Sequence, residues 1–293
     1  MIDSFLKYLQ FEKRVSKHTL TAYQNDLDQF QSFINEVFHD HTPETADYGV
    51  VRSWIIQLVD SGIKPASVNR KIASLKTFYK FLTREEVIKK NPMTKIRVLK
   101  TQKRLPSFVK ETEIINLLDN VSFENTLEGW RDKLILEMFY STGIRLSELI
   151  TLKESQVDIH KTTIKVLGKR NKERVIPFPK SIVSTYESYH QIRNREVALK
   201  NHGFVFVTDT GEPCYPMMVY RIVKRYLNEN TQTEKKSPHV LRHTYATHLL
   251  NKGAEINAVK DLLGHSSLAA TQVYTHNSME KIKKAYDQAH PKA

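Results

Sequence analysis

Over residues 2–95 the apolar side chains return every three or four positions, and only one stretch of the whole chain alternates instead. Ile2, Phe5, Leu6 and Leu9 make a first stripe. Leu20, Tyr23, Leu27, Phe30, Phe33, Ile34 and Val37 make a second; Val50, Val51, Trp54, Ile55 and Leu58 a third; Val68, Ile72, Leu75, Phe78, Tyr79 and Leu82 a fourth. That period belongs to helices with one buried face. Ser16 suits the N-cap of the second helix, and Pro65 suits the first turn of the fourth. Residues 1–95 are therefore expected to form a domain of four or five helices. Asn91-Pro92 closes it, and residues 96–107, basic and without helical period, read as an extended linker.

The remaining residues, 108–293, read as a second domain, mainly α with a small antiparallel β-sheet. Helices are expected near 110–120, 126–142 and 146–152. The alternating stretch VDIHKTTIKVLGKRNKERVIPF, residues 157–178, reads as three short strands joined by tight turns. A helix at 179–198, a short strand at 204–207, a helix at 216–228 and a polar loop at 229–237 follow. Four more helices, punctuated by Gly253, Gly264 and Asn277, would end the chain. No internal repeat is present.

Charge narrows the partners. The formal net charge is +13, and it is unevenly spread. Residues 26–60 hold seven acids and one base, whereas residues 64–104 hold thirteen bases and two acids. Such segregation points one face at a polyanion, and nucleic acid is the partner it fits best. On the fourth helix the face opposite the apolar stripe carries Asn69, Arg70, Lys76, Thr77 and Lys80. The bases can meet phosphates, and the Asn and Thr can reach bases or backbone. Lys100, Lys103 and Arg104, with Lys95 and Arg97, would let the linker track the same backbone. No apolar run approaches the ~18–20 residues of a membrane span. The start, MIDSFLKYLQFEK, lacks the basic-then-apolar order of a signal peptide. A single cysteine, Cys214, allows no internal disulfide and no cysteine-based zinc site. A cytoplasmic protein with no membrane partner is expected.

Four short motifs carry candidate chemistry. In SPHVLRHTYATHLLNKG, Ser237, Pro238 and Gly253 frame a helix that puts His239 and Arg242 on one face of its first turns. A helix N-terminus there already favours anions. In EINAVKDLLGHSSLAATQVYTH, a short helix ends at Gly264, His265 follows, and Tyr274 lies near the end of the next helix; by itself this stretch also reads as a helix-turn-helix of a DNA-binding regulator. In FYSTGIRLSELITL, Arg145 sits between two helices with Glu148 three residues on, either a structural ion pair or a carboxylate that holds a functional Arg. In VLGKRNKERVIPF, Lys169 stands at a turn between strands. His243 and His248 read as packing or surface residues. No metal-ligand spacing, P-loop or GxGxxG occurs, so neither a metal nor a cofactor is expected.

Taken together, Arg145, Lys169, His239-x-x-Arg242, His265 and Tyr274 resemble, in order and spacing, the residue set of the tyrosine recombinases. The similarity runs over the whole chain and looks closest to the Xer branch. One departure is Arg170, where many relatives carry Gly after the Lys. The resemblance implies a SAM-like N-terminal DNA-binding domain, a catalytic domain from residue 108, and a two-domain, C-shaped clamp on duplex DNA. It implies Tyr274 as nucleophile, His239 as base, Lys169 as acid, Arg145 and Arg242 on the non-bridging oxygens, His265 as a donor, and Glu148 orienting Arg145 or His239. It further implies a tetramer on two sites, of one kind of subunit or with a second recombinase, exchanging strands through a Holliday junction. The tail 277–293, with Met279, Ile282 and Tyr286, would dock on a neighbouring protomer, and an FtsK-type DNA translocase would be a partner. Resolution of chromosome dimers by a nucleoid-associated enzyme is the expected role. A mobile-element integrase or excisionase is the alternative within the family, though such proteins often carry an extra arm-site domain, with no room expected for one before residue 2.

Overall fold

The computed structural model describes residues 1–101, 107–168, 173–198, 203–264 and 289. The chain divides into two compact units, Met1–Arg104 and Leu105–Ala293.

In the first unit, α1 (Ile2–Lys7) runs into a π-helical turn at Tyr8–Glu12 and is followed by α2 (Lys17–Val37), α3 (Tyr48–Asp60) and α4 (Pro65–Arg84). Local chemistry sets the starts. The Ser16 hydroxyl accepts the Thr19 N–H at 3.2 Å, and the Asp47 carboxylate accepts the Val50 N–H at 3.0 Å. Each cap fills one of the donors a helix start leaves open, worth about 1 kcal/mol. The four apolar stripes meet in one core around Phe5, Leu27, Phe30, Trp54, Ile72 and Phe78. Phe30 packs on Trp54 with centroids 4.9 Å apart, and Phe5 meets Phe78 edge-on at 5.3 Å.

This core reaches beyond residue 95. Ile96 is buried in it, so the segment read as linker begins inside the first unit. Residues 97–101 carry no helix or strand. They are held to α4 all the same, because the Asn69 amide donates to the Leu99 carbonyl at 2.9 Å and accepts the Leu99 N–H at 2.7 Å.

The second unit contains α5 (Glu111–Asp119), α6 (Leu127–Thr142), α7 (Leu146–Ile150) and a 3-10 turn at Glu154–Gln156. After these come β1 (Val157–Asp158), β2 (Thr163–Leu167), β3 (Glu173–Pro177), α8 (Ser181–Glu196), α9 (Pro216–Asn230), α10 (Pro238–Asn251) and α11 (Ile256–Leu263). The sheet is antiparallel in the order β1-β2-β3, with Ile164 opposite Ile176 and Val166 opposite Arg174. From Leu134 to Thr142 every residue of α6 is buried, which makes it the central helix and explains its lack of a polar face.

Residues 204–207 do not form the expected strand. Phe204 bridges Lys153 and Val207 bridges Pro213, two isolated contacts with different partners, so no continuous ladder forms. The helix expected to stop at 228 continues to Asn230. Among the described residues no helix is long and apolar enough to cross a membrane.

Candidate active site

The site is built around a sharp change of direction after α6. Gly143 caps that helix in the left-handed region, φ 59°. A Cβ there would lie 2.5 Å from the Tyr245 ring, so the glycine serves both the turn and the close approach of α10. The turn places Arg145 at the N-cap of α7. Glu148, one turn on, accepts the Arg145 N–H at 2.8 Å and the Arg145 Nη1 at 2.7 Å. Arg145 Nη2 donates to the Gly264 carbonyl at 2.8 Å.

A second guanidinium shares Glu148. Arg174 donates through Nη1 and Nη2 to the two carboxylate oxygens, both at 2.7 Å, and through Nε to the Leu262 carbonyl at 2.9 Å. The sequence reading did not single out Arg174, although the signal was there. In the strand ERVIP, Arg174 and Ile176 share the inward face, and a charged residue in an inward register is out of place unless something charged awaits it.

Arg242 lies in the first turns of α10, three residues after His239. It is buried, and its guanidinium donates to the Gly143 carbonyl and, at 2.5 Å, to the Leu263 carbonyl. Three successive carbonyls at the end of α11 (Leu262, Leu263, Gly264) therefore each receive one guanidinium, from Arg174, Arg242 and Arg145. The end of a helix exposes carbonyls that lack partners and carries a partial negative charge, so cations belong there. His239 is exposed on the same helix start. Ser237 stands at the N-cap as expected, but its hydroxyl makes no capping bond. Pro238 occupies the first turn.

Helix α10 is fixed at its other end by His248 and Thr244. The Thr244 hydroxyl accepts the Val109 N–H at 3.0 Å. One His248 nitrogen lies 3.0 Å from the Val109 carbonyl and the other 3.2 Å from the Tyr140 hydroxyl. With the carbonyl able only to accept, Nε2 is the donor and Nδ1 accepts from Tyr140. Burial pushes the His248 pKa down, in keeping with this neutral packing role. His243 is half-buried and lies 3.5 Å from the Thr247 hydroxyl.

Three cations and one carboxylate leave the site with an excess of positive charge. Burial by itself would raise the Glu148 pKa. The hydrogen bonds and charge of Arg174, then the backbone and side chain of Arg145, reverse that and hold it at about 2. Arg242 is pushed the other way, down to about 10, by burial first and then by the charges of Arg145 and Arg174. It stays cationic at neutral pH, in a place where an incoming anion would relieve it. The Arg145 side chain is 28% exposed, against 3% for Glu148 and 4% for Arg174, so Arg145 presents its guanidinium to an outside anion while Glu148 and Arg174 lie beneath it.

On α4, Lys76 and Lys80 are exposed. Arg70 is also exposed at the surface but donates to Asp26, a fully buried carboxylate that Lys71 and Ser74 approach at 3.0 and 2.7 Å. The Thr77 hydroxyl donates to the Ala73 carbonyl at 2.9 Å. The Asn69 amide, expected to face a nucleic acid, is instead committed to Leu99. Lys100 is exposed beside it. Lys103, Arg104, Lys169, His265, Tyr274 and the tail residues 277–288 and 290–293 lie outside the described residues. Among the described residues no group of His, Cys, Asp and Glu could hold a metal ion.

The sequence pattern of the phage integrase family matches residues 107–281, and that of the phage integrase N-terminal SAM-like domain matches residues 2–86. A tyrosine recombinase XerC of Chlorobaculum parvum is 38% identical over 317 residues, covering 100% of this chain and 94% of the relative. A tyrosine recombinase XerD of Staphylococcus haemolyticus is 33% identical over 294 residues, covering 100% and 99%. The structure of XerH site-specific recombinase in a post-cleavage complex with palindromic difH substrate shares the fold, with a TM-score of 0.73, 20% identity, and coverage of 97% of this chain and 84% of that one. The order of Arg145, Lys169, His239, Arg242, His265 and Tyr274 and the matches over the full length agree: the chain belongs to the phage integrase family, as a tyrosine recombinase of the Xer type.

Proposed function

We propose that this chain recombines duplex DNA at a specific site through a covalent 3′-phosphotyrosine, and that its cellular role is the resolution of chromosome dimers during segregation. The observation that carries the reading is the reachable Arg145 guanidinium, held by Glu148 beside the buried Arg242, in a site whose net charge calls for an anion.

The chemistry is a transesterification. The Tyr274 oxygen forms a bond to the scissile phosphorus, and the bond from phosphorus to the 5′-oxygen breaks. The phenol proton passes to His239, and Lys169 returns a proton to the leaving 5′-oxygen. A phenol with an ordinary pKa of about 10 needs such a base at neutral pH. The bond energy is retained in the phosphotyrosine, so the strand is rejoined by reversing the step. The pentavalent transition state carries more charge on its non-bridging oxygens than the ground state does. Guanidiniums fixed before the DNA arrives stabilise that difference selectively. His265 donates to the same phosphate.

Four protomers on two sites, either all of this chain or shared with a second recombinase, exchange strands through a Holliday junction. The N-terminal domain from residue 1, the basic linker ending near 107 and the catalytic domain from 108 each take part in holding the duplex. The tail 277–293 docks on a neighbour, an FtsK-type DNA translocase acts as the trigger, and the enzyme works at the nucleoid in the cytoplasm.

The test is to denature cells rapidly, recover DNA bound covalently to the protein, and sequence it, with Tyr274→Phe as control. Adducts at one chromosomal locus that vanish in the variant are expected. Adducts at the ends of a mobile element would assign the enzyme to integration instead. Adducts of normal yield in Tyr274→Phe would move the nucleophile elsewhere. On a duplex carrying the recovered site, Arg145→Ala and Arg242→Ala are each expected to slow cleavage roughly 10²-fold or more, the loss typical of one oxyanion donor.

A further inference from the structure

We propose that Arg174, on β3, is the positioning residue of the phosphate clamp: it fixes the Glu148 carboxylate and the end of α11 so that Arg145 is presented in one orientation. The inference rests on the reading of Arg145 and Arg242 as the groups that hold the scissile phosphate.

Strand alternation assigns position 174 to the apolar interior, facing the same way as Ile176. Taking a guanidinium out of water there is costly unless its partners are well placed. The Arg174 guanidinium donates into the site, twice to Glu148 and once to the Leu262 carbonyl. A side chain needed only to fill the space beneath the sheet would be a valine or isoleucine.

The geometry says what the guanidinium does there. Arg145 meets both oxygens, Oε2 through its backbone N–H and Oε1 through Nη1, but both contacts come from the start of the helix that carries Glu148 itself. The Arg174 fork binds the same two oxygens from a separate element, β3, and so fixes the carboxylate from outside that helix. Arg145 Nη1 then meets an acceptor with one direction available. The other end of Arg145, Nη2, is set by the Gly264 carbonyl, and Arg174 fixes this too. Its Nε holds Leu262, two residues earlier, and its side chain lies against Gly264 so closely that a Cβ there would be 3.2 Å from Cδ and Nη1. Both anchors of Arg145 therefore rest on Arg174. Lysine keeps the charge but presents a single ammonium, which cannot bridge two carboxylate oxygens and also hold a carbonyl in the fork geometry.

The test uses the full chain and a nicked duplex carrying the sequence recovered with the covalent adducts. Single-turnover cleavage and DNA affinity are measured for Arg174→Lys in two backgrounds, the unaltered protein and Arg145→Ala. Arg174→Ala opens a hole in the core and can fail to fold, so Arg174→Lys is the primary variant and its unfolding temperature is followed alongside. The expected result is at least a tenfold slower cleavage at saturating DNA, with the half-saturating DNA concentration changed less than twofold. In the Arg145→Ala background the same change is expected to cost less than threefold, because the group it positions is gone. Equal losses in both backgrounds would mean that Arg174 supports the fold at large and would overturn the proposal, as would wild-type cleavage by Arg174→Lys. A complete absence of Tyr274-dependent adduct in the unaltered protein would be a different failure, of the clamp reading itself, and would take this proposal with it.

Discussion

Glu148 is where charge and structure meet most tightly, since its two oxygens take four hydrogen bonds from two arginines. Its folded pKa of about 2 lies below the ordinary value of 4.5. A carboxylate with a depressed folded pKa adds stability above its unfolded pKa and loses it as pH falls through the folded one. The window here is about pH 4.5 down to about 2. The gap corresponds to about 3 kcal/mol at neutral pH. Glu148→Gln leaves two guanidiniums without their carboxylate and is expected to destabilise the protein by roughly 3–5 kcal/mol at pH 7. The deficit should shrink as pH falls below 4.5, because Glu148 of the unaltered protein is then protonated in the unfolded chain, which draws down its folding stability, whereas the glutamine of the variant takes up no proton. Urea unfolding of both proteins at pH 7, 5, 4 and 3 measures this. A deficit constant across that range would mean the carboxylate charge is not what the arginines stabilise.

At the scale of elements, the site depends on how closely α10 can approach the end of α6, and Gly143 sets that limit. Gly143→Ala puts a side chain in the left-handed region, at about 1–2 kcal/mol, and drives its Cβ into the buried Tyr245 ring, at about 1–3 kcal/mol more. Since Arg242 donates to the Gly143 carbonyl, cleavage should fall along with thermal stability. An unfolding temperature and a cleavage rate both within error of the original would show that the ring can move aside. The same elements show what was legible in the sequence. Helical periodicity, Ser16, Pro65 and Gly143 announce α2, α4 and the end of α6, because each acts on neighbours within a few residues. Glu148 could be paired with Arg145 for the same reason, being one helical turn away. Arg174 reaches Glu148 across 26 positions and Leu262 across 88. Nothing local announces those partners; only the misfit of a charge on an inward strand position hints at them. Residues 204–207 fail in the opposite sense: their local pattern suits a strand, but a strand needs one continuous partner, and theirs is divided between Lys153 and Pro213.

At the scale of the whole chain, charge segregation makes a prediction separable from the chemistry. Among the described residues of α4, Lys76 and Lys80 stand exposed, while Arg70 is steadied by the buried Asp26 and Asn69 holds Leu99 in place. Where the basic face of α4 meets DNA as proposed, Asn69 would act indirectly, by holding the Leu99 backbone, and Lys100 next to it, on α4. The affinity for duplex DNA should fall linearly with the logarithm of salt concentration, with a slope of about 0.9 per phosphate neutralised. Lys76→Ala and Lys80→Ala should each reduce that slope by about 1 and weaken binding to every sequence alike, because a phosphate contact carries no sequence information. Arg145→Ala should behave differently: its main loss is in cleavage, where charge builds up only in the transition state. Titrations of a duplex at several salt concentrations, set beside single-turnover cleavage of the same duplex, separate the two. If the lysine variants leave the slope unchanged, the basic face of α4 is not on the phosphate backbone, and the excess charge of residues 64–104 must act through the linker bases instead.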